Sequence, residues 1–465
     1  MDSDRLGRVL DYLEGRFPRF LAELEDLVRV PGVSAVGPPN DHLMQSALGV
    51  VDLMQMAGLE GCRVIEHEGA HPYAYGEWLH AEGAPTLLLY GHHDVQPPGR
   101  EEQWVSPPFE PETRGGRLYG RGAVDDKAGV MMHVAACAAW LKGAGKLPVN
   151  VKLIVEGEEE IGSEHLEAFL AEHREMLSAD CIVLTDTANL DEGIGSLTTS
   201  LRGLAGVHVE VRALEQPLHS GMWGGPIPDP VVALAKAIAE LTDDDGQVMP
   251  ALRAGVRLLS EAERRDLEAL PFKEKRFRSQ AGLVPGAELV GNPDTPVYGR
   301  IWREPALSVI AFDARPIEGS SNQIIERARA RISLRTVPDQ DPRALQDVLV
   351  RHFRERVPWG LRVDVHREAL GNWWVTTPEG PAFDAARRAM EAGYERPAEM
   401  IGCGGSIPFV EPFARVLGGV PALLTGVEDP RCHAHSENES LLIEDWKKGT
   451  RAAVHLYAEL AEALG

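Results

Sequence analysis

Leu87-Leu88-Leu89-Tyr90-Gly91-His92-His93-Asp94-Val95-Gln96-Pro97 is the stretch from which the fold can be read. An apolar run of strand type stops at Gly91, and a His and an Asp follow it two residues apart. In an open α/β sheet, ligands bind beyond the carboxyl ends of the strands. His92 therefore stands where a site would be built. A lone His at a strand end is ordinarily a surface or hydrogen-bonded residue. This one gains weight because other ligand types arrive at other strand ends.

Toward the N-terminus, apolar residues from Leu6 to Val28 recur at helical spacing and predict an amphipathic helical segment, with a break expected near Pro18. A second helix is expected at 42–57, stopping at Gly58, and short strands at 63–66, 73–78 and 86–90. Beyond the quoted stretch, Gly115-Gly116-Arg117-Leu118-Tyr119-Gly120-Arg121-Gly122 is turn-rich and leads through Ala123-Val124-Asp125-Asp126-Lys127 into a helix expected to run to 141. Asp125, taken alone, is an N-cap. A strand at 150–155 ends on Glu156-Gly157-Glu158-Glu159-Glu160-Ile161-Gly162-Ser163. Four carboxylates beside an apolar strand end either face a cation or form the solvated acidic first turn of a helix through Leu170. A strand at 181–185 carries Asp186 at its end. Strands alternating with helices predict a mainly parallel sheet.

The pattern then changes. A strand at 207–211, a helix at 230–241, a charged helical insertion at 260–278, strands at 307–312 and 328–334, a helix at 343–357 and a strand at 361–366 follow. Without the insertion this is β-α-β-β-α-β, the ferredoxin-like order. After Trp374 the chain returns to the first domain with a helix at 381–392, the glycine-rich loop Gly402-Cys403-Gly404-Gly405-Ser406-Ile407-Pro408, a short strand at 422–424, and Cys432-His433-Ala434-His435-Ser436-Glu437-Asn438 ahead of a last helix at 441–460. The expected fold is α/β. A domain of residues 1–198 and 373–465 has a mixed, mainly parallel sheet with helices on both faces. A smaller ferredoxin-like α+β domain, 199–372, is inserted into it.

Composition bounds the function. A chain of 465 residues is too long for one ordinary core. With 44% hydrophobic and 25% charged residues it reads as soluble and globular. A formal net charge of −24 argues against nucleic acid or an anionic membrane surface as partner, because the field has the wrong sign. The 5 cysteines are scattered without a Cys-x-x-Cys pair, which speaks against a thiolate metal site and fits a reducing cytoplasm. Met1-Asp2-Ser3-Asp4 is not followed by the apolar core of a signal peptide. No apolar run approaches the ~20 residues of a membrane helix. A cytoplasmic protein is expected.

Collected from the strand ends, His92, Asp94, Asp125, Glu159, Glu160, Asp186 and His435 form a thiolate-free ligand set suited to Zn²⁺, Mn²⁺ or Co²⁺. Two divalent ions bring four positive charges. Asp125, Glu160 and Asp186 offset three, and a bridging hydroxide the fourth. A single ion would leave the carboxylates over-charged.

These motifs resemble those of the carnosinase and cytosolic non-specific dipeptidase group, within the aminoacylase / acetylornithine deacetylase family of dinuclear metallopeptidases. The resemblance is carried by Gly91-His92-His93-Asp94-Val95-Gln96-Pro97, Gly120-Arg121-Gly122-Ala123-Val124-Asp125-Asp126-Lys127, Glu159-Glu160-Ile161-Gly162-Ser163, His219-Ser220-Gly221, Gly404-Gly405-Ser406-Ile407-Pro408 and His435-Ser436, in order along nearly the whole chain. It implies that His92, Asp125 and Asp186 bind one metal and that Asp125, Glu160 and His435 bind the other, with Asp125 bridging. Zinc is the leading choice, with manganese or cobalt next. It implies that Asp94 fixes the His92 ring, that Glu159 is the general base on a bridging water, which attacks as hydroxide, and that the peptide bond after Asp125 is cis. His219, otherwise a surface loop residue, is implied to reach the partner subunit's site and hold the oxyanion, in a homodimer joined through the inserted domain, which also acts as a lid. Arg335 matches a carboxylate-binding arginine, and Asn322, Gly404, Gly405 and Ser406 fall near the substrate. Each of these five reads equally as a turn or strand-surface residue. Gly402-Cys403 departs from the Arg-Glu of mammalian relatives, and Ala369-Leu370-Gly371 lacks a His found there; both bear on substrate range.

The implied activity is hydrolysis of dipeptides with broad side-chain tolerance. Asp, rather than Glu, at position 186 goes with aminopeptidases and dipeptidases. An N-acyl-amino-acid deacylase or a carboxypeptidase on the same scaffold is the alternative, and an inactive binding protein a third reading.

Overall fold

The computed structural model describes residues 3–405, 407 and 410–465. Its largest sheet has nine strands. Along its main path the order is Glu60–Ile65, Tyr73–Trp78, Asn150–Glu156, Thr86–His92, Cys181–Leu184, Ala422–Leu424, Ser196–Leu201 and Trp374–Val375, with Glu399–Cys403 paired parallel to Ser196–Leu201. The four strands from Asn150–Glu156 to Ala422–Leu424 run parallel, and pairings toward both edges are antiparallel. The sheet is therefore mixed, parallel at its centre. Along Thr86–His92 the side chains divide between two cores, as the two-residue period of a strand requires. Leu87 and Leu89 join the core under the helices Ser3–Val28, Lys127–Ala144, Pro381–Tyr394 and Ile443–Leu464. Leu88 and Tyr90 join the other, with Phe169 and Phe413. Helices cover both faces, which is why the quoted run is apolar at every position.

The first helix corrects one expectation. Ser3–Val28 runs unbroken through Pro18. Pro18 is exposed, on the side where a backbone carbonyl freed of its partner is readily hydrated. Val9, Leu13, Phe17, Phe20, Leu24 and Leu27 are buried on both sides of it, and that stripe outweighs the ~3 kcal/mol proline penalty. The second helix, Asp41–Ala57, behaves as expected. The Asn40 side chain accepts from the His42 and Leu43 N–H groups, and Gly58 closes the helix with φ +106.

A second, four-stranded sheet is antiparallel throughout, in the order Ala306–Asp313, Arg327–Thr336, Gly203–Arg212, Arg362–Gly371. With the helices Pro230–Ala239 and Pro342–Arg356 this is the ferredoxin-like arrangement. The chain enters it directly from the large sheet, Ser196–Leu201 passing through Arg202 into Gly203–Arg212, and returns where Trp374 pairs with Leu201. At the crossing a Cβ on Gly203 would lie 2.3 Å from Thr336 Oγ1 and 2.7 Å from the Gly371 carbonyl, so no side chain fits there. The charged insertion holds the helices Glu261–Ala269 and Glu274–Gln280 and continues into Val297–Trp302. It packs Leu270 and Trp302 against Leu190, Ile194 and Ile401 of the large sheet unit.

Among the described residues, no helix is long and apolar enough to cross a membrane. The five cysteines are unpaired.

One buried ion pair ties the two ends of the large unit together. Glu439 accepts from Arg121 Nη1 at 2.6 Å, and from the backbone N–H groups of Gly122 (3.0 Å), Val124 (3.0 Å) and Asp125 (3.2 Å). Arg121 also donates to the carbonyls of Pro97 and Ser436. Replacing Glu439 by Ala would strand a buried guanidinium, and urea unfolding at neutral pH should show a loss of about 3–5 kcal/mol. Arg356→Ala, which removes an exposed pair with Glu240, should leave the urea midpoint nearly unmoved.

Candidate metal centre

The carboxyl ends of the parallel strands converge on one cluster. His92 is the last residue of its strand, and its ring is fully buried. Nε2 lies 3.0 Å from Asp125 Oδ1 and 3.7 Å from Asp186 Oδ1. Nδ1 faces Asp94, 3.1 Å from its carbonyl and 3.4 Å from Oδ1. That face keeps a proton on Nδ1 and leaves Nε2 free as a ligand. Asp94 has a second task that sequence reasoning did not find. Its Oδ1 accepts the N–H of Glu159 at 3.1 Å and its Oδ2 that of Glu160 at 3.0 Å. One buried carboxylate thus orients a ring and holds the short 3₁₀ turn Glu159–Ile161 that carries two more acids.

Asp125 sits just ahead of the helix Lys127–Ala144, and its bond to Asp126 is cis, as the resemblance implied. Its two oxygens diverge, Oδ1 toward His92 and Oδ2 to 2.9 Å from His435 Nε2. His435 Nε2 is also 3.1 Å from Glu160 Oε2. Glu160 is held in turn by Gln96, whose N–H and side-chain amide donate to its carboxylate at 3.2 and 2.8 Å. His435 stands on a loop with φ +62, its side chain 58% exposed, so this end of the cluster opens outward.

The electrostatics are those of a site crowded with anions. Burial, then the neighbouring charges of Asp186, Glu160 and Asp125, push the Glu159 carboxyl well up. Burial and Asp125 push Glu160 up to about 7. Burial also raises Asp186, although His92 opposes it. Burial acts on Asp125 the same way, but hydrogen bonds from both imidazoles outweigh it and hold the acid low. Those acids in turn overcome the burial of His435 and push its ring up to about 11. Such a cluster calls for cations.

The donors fit them. Ligand atoms of His92, Glu159 and Asp186 lie within 4.8 Å of one another, as do those of Asp125, Glu160 and His435. Asp125 lends one oxygen to each side. Imidazole and carboxylate without thiolate suit zinc, manganese or cobalt.

A third group, Asp125, Asp186 and Glu428, meets the same 4.8 Å condition and was not anticipated. Glu428 follows the strand Ala422–Leu424 and bridges in parallel to Ala188, so its side chain leaves the backbone on the same side as Asp186. Burial, then Asp125 and Asp186, push its carboxyl well up. The signal was available, since an acid past the end of a parallel strand is the pattern that singled out His92. Glu439 and Gln96 carried no such signal.

A cavity of about 490 Å³ opens beside the cluster. Glu159, Glu160, Asp186 and His435 line one side, and Leu204 and Arg335 of the small sheet another. Gly405 lines it too, while Gly404 faces a neighbouring cavity and its carbonyl accepts from Arg202 Nε at 2.8 Å. Ser406 falls outside the described residues. His219 and Asn322 do not line the cavity. They sit together, exposed, on the ribbon Leu218–His219 with Gln323–Ile324, where the Ser220 N–H donates to the Asn322 carbonyl at 2.9 Å.

The chain is similar to known proteins in sequence and in fold. The model of peptidase family M20/M25/M40 matches residues 88–459. A cysteinylglycine-S-conjugate dipeptidase of Corynebacterium striatum is 33% identical over 360 residues, 77% of this chain and 77% of that protein. The crystal structure of human carnosine dipeptidase 1 superposes with a TM-score of 0.86 at 25% identity, covering 98% of this chain and 99% of that one. The M20 metallo-carboxypeptidase Sso-CP2 of Sulfolobus solfataricus does so with a TM-score of 0.83 at 26% identity, over 95% and 99%. With strand-end acids and imidazoles gathered at one cleft, and a family match spanning most of its length, the chain belongs to peptidase family M20/M25/M40.

Proposed function

We propose that the protein hydrolyses the peptide bond of dipeptides with two divalent ions, His92, Asp125 and Asp186 holding one and Asp125, Glu160 and His435 the other. The observation that carries this reading is Asp125, whose oxygens lie 3.0 Å from one imidazole and 2.9 Å from the other. The dipeptidases among its relatives support the substrate class. Zinc is the first choice of ion, with manganese and cobalt compatible with the same donors. When bound, the ions would acidify a water between them and polarise the scissile carbonyl.

The chain's own groups do the rest. Glu159 accepts a proton from the attacking water and returns it to the nitrogen of the leaving amine. Burial and the neighbouring acids raise its affinity for protons, which suits a group that must accept one from water. Asp94 keeps the His92 ring and the Glu159 turn in register. Arg335 meets the substrate's C-terminal carboxylate with a planar fork of donors. Gly405, which lines the same cavity, flanks that end.

We assign residues 1–198 and 373–465 to the catalytic domain and 199–372 to a lid that also dimerises. The edge strand Ala306–Asp313 of the small sheet leaves Val309, Ile310 and Phe312 exposed, an apolar edge suited to a second copy. His219 and Asn322, away from the cavity of their own chain, would then act in the partner's site, His219 holding the oxyanion. A deacylase or carboxypeptidase is the second reading. Arg335 would serve any substrate ending in a free carboxylate, and the metallo-carboxypeptidase Sso-CP2 shares the fold.

Glu159→Gln should retain both ions by elemental analysis yet lose about 10²–10⁴-fold in turnover. Near-normal rates in the metal-loaded variant would remove Glu159 from this role. Mixing His219→Ala subunits with Asp125→Ala subunits should restore activity to heterodimers, whereas inactive heterodimers would count against action in trans. Apo protein refilled with zinc, manganese or cobalt should cleave a free dipeptide faster than its N-acetyl form; the opposite preference would favour the deacylase.

A further inference from the structure

We propose that Glu428 is the counter-ion for the free α-ammonium group of the substrate, so that the cavity selects peptides with unblocked N-termini. This deepens the dipeptidase reading and rests on it.

The argument starts from position. Glu428 lines the cavity, and an oxygen of its carboxylate lies within 4.8 Å of oxygens of Asp125 and Asp186, beside the reaction centre. Its backbone is fixed, since its carbonyl accepts the N–H of Asn189 at 2.8 Å. Two residues before it, a Cβ on Gly426 would lie 1.7 Å from the Thr187 carbonyl, so the loop has little room to shift.

Partners distinguish it from four nearby acids; of the acids at the site, only the base Glu159 shares its lack of one among the described residues. Asp94 accepts two backbone N–H groups, Asp125 faces two imidazoles, Glu160 has Gln96 and His435, and Glu439 has Arg121. Among the described residues, none hydrogen-bonds or ion-pairs with the Glu428 carboxylate. Two divalent ions are balanced by Asp125, Glu160, Asp186 and the one negative charge that Glu159 and the attacking water share, as carboxylate with water or acid with hydroxide. Glu428 is then a fifth acid, one negative charge in surplus. A partly buried carboxylate without a cation is unfavourable, and a single positive charge from the substrate removes that penalty.

The cavity also offers the opposite pole. Arg335 lines it from the small sheet. A dipeptide zwitterion would set its carboxylate against Arg335 and its ammonium against Glu428. An N-acylated peptide supplies only the first of these charges and leaves Glu428 unpaired.

The test uses the full-length, metal-reconstituted protein with alanyl-leucine, its N-acetyl form, and the des-amino analogue as competitive inhibitor. In the unmodified enzyme the des-amino analogue should bind about 100-fold more weakly than the dipeptide. In Glu428→Gln the preference for free over acetylated substrate should fall about 100-fold, mainly through KM, with two ions still bound per chain. Equal binding of dipeptide and des-amino analogue by the unmodified enzyme would overturn the proposal without any variant. So would an unchanged preference in Glu428→Gln, or loss of an ion, which would make Glu428 a metal ligand. If the unmodified enzyme prefers the acetylated form, the dipeptidase reading itself falls. If it prefers the free form and Glu428→Gln does too, only the role of Glu428 falls.

Discussion

Arg121 and Glu439 stand 318 positions apart in the chain, and their buried contact aligns the two halves of the cation site. Glu439 gathers three backbone donors, those of Gly122, Val124 and Asp125, from the segment that ends in Asp125. Arg121 reaches the Ser436 carbonyl, next to His435. Asp125 and the His435 imidazole at the outer end of the cluster therefore take their positions from one salt bridge. Burying such a pair yields little net stability, because both ions lose their hydration. Its value here is register. An apolar replacement of the same volume could fill the space but could not hold three N–H groups and two carbonyls in place.

Asp94 does the same for the other half. It accepts from consecutive N–H groups at Glu159 and Glu160 while it faces the His92 ring. Three of the site's groups are thus set by one carboxylate that touches no substrate. Around this frame lie more acids than the imidazoles can neutralise, and they raise one another's affinity for protons. Divalent cations, as proposed for this site, would relieve that crowding. A site so poor in positive charge of its own binds ions strongly, and it is correspondingly strained toward protonation without them.

Much of this was legible in the sequence, for a definite reason. Parallel strands covered on both faces read as unbroken apolar runs, so their ends are visible, and the ligands lie at those ends. His92, Asp125, Glu160, Asp186 and His435 meet in the structure because each follows such a run or opens the helix or strand after it. What stayed hidden depends on contacts distant in sequence. Nothing local marks Glu439 as the partner of Arg121, or Gln96 as the support of Glu160. The strand Ser196–Leu201 alternates too weakly to stand out, and Glu399–Cys403 ends in what reads as a glycine-rich loop. Pro18 was misjudged because the penalty for a proline is local and the burial that overrides it is not. Glu428 was overlooked for a plainer reason: its strand has only three residues.

The passage between the two sheets has a mechanical consequence. Outgoing and returning segments lie side by side, paired at Leu201 and Trp374, and Gly203 leaves no space for a side chain at the seam. The small sheet is therefore joined to the large one along that seam, with a second contact where the insertion packs Leu270 and Trp302 on Leu190, Ile194 and Ile401, and it brings Arg335 to the cavity across this junction. The five candidate ligands, His92, Asp125, Glu160, Asp186 and His435, all lie on the large sheet's side of that seam. A change at the seam would therefore shift Arg335 against those side chains without altering the spacing among them.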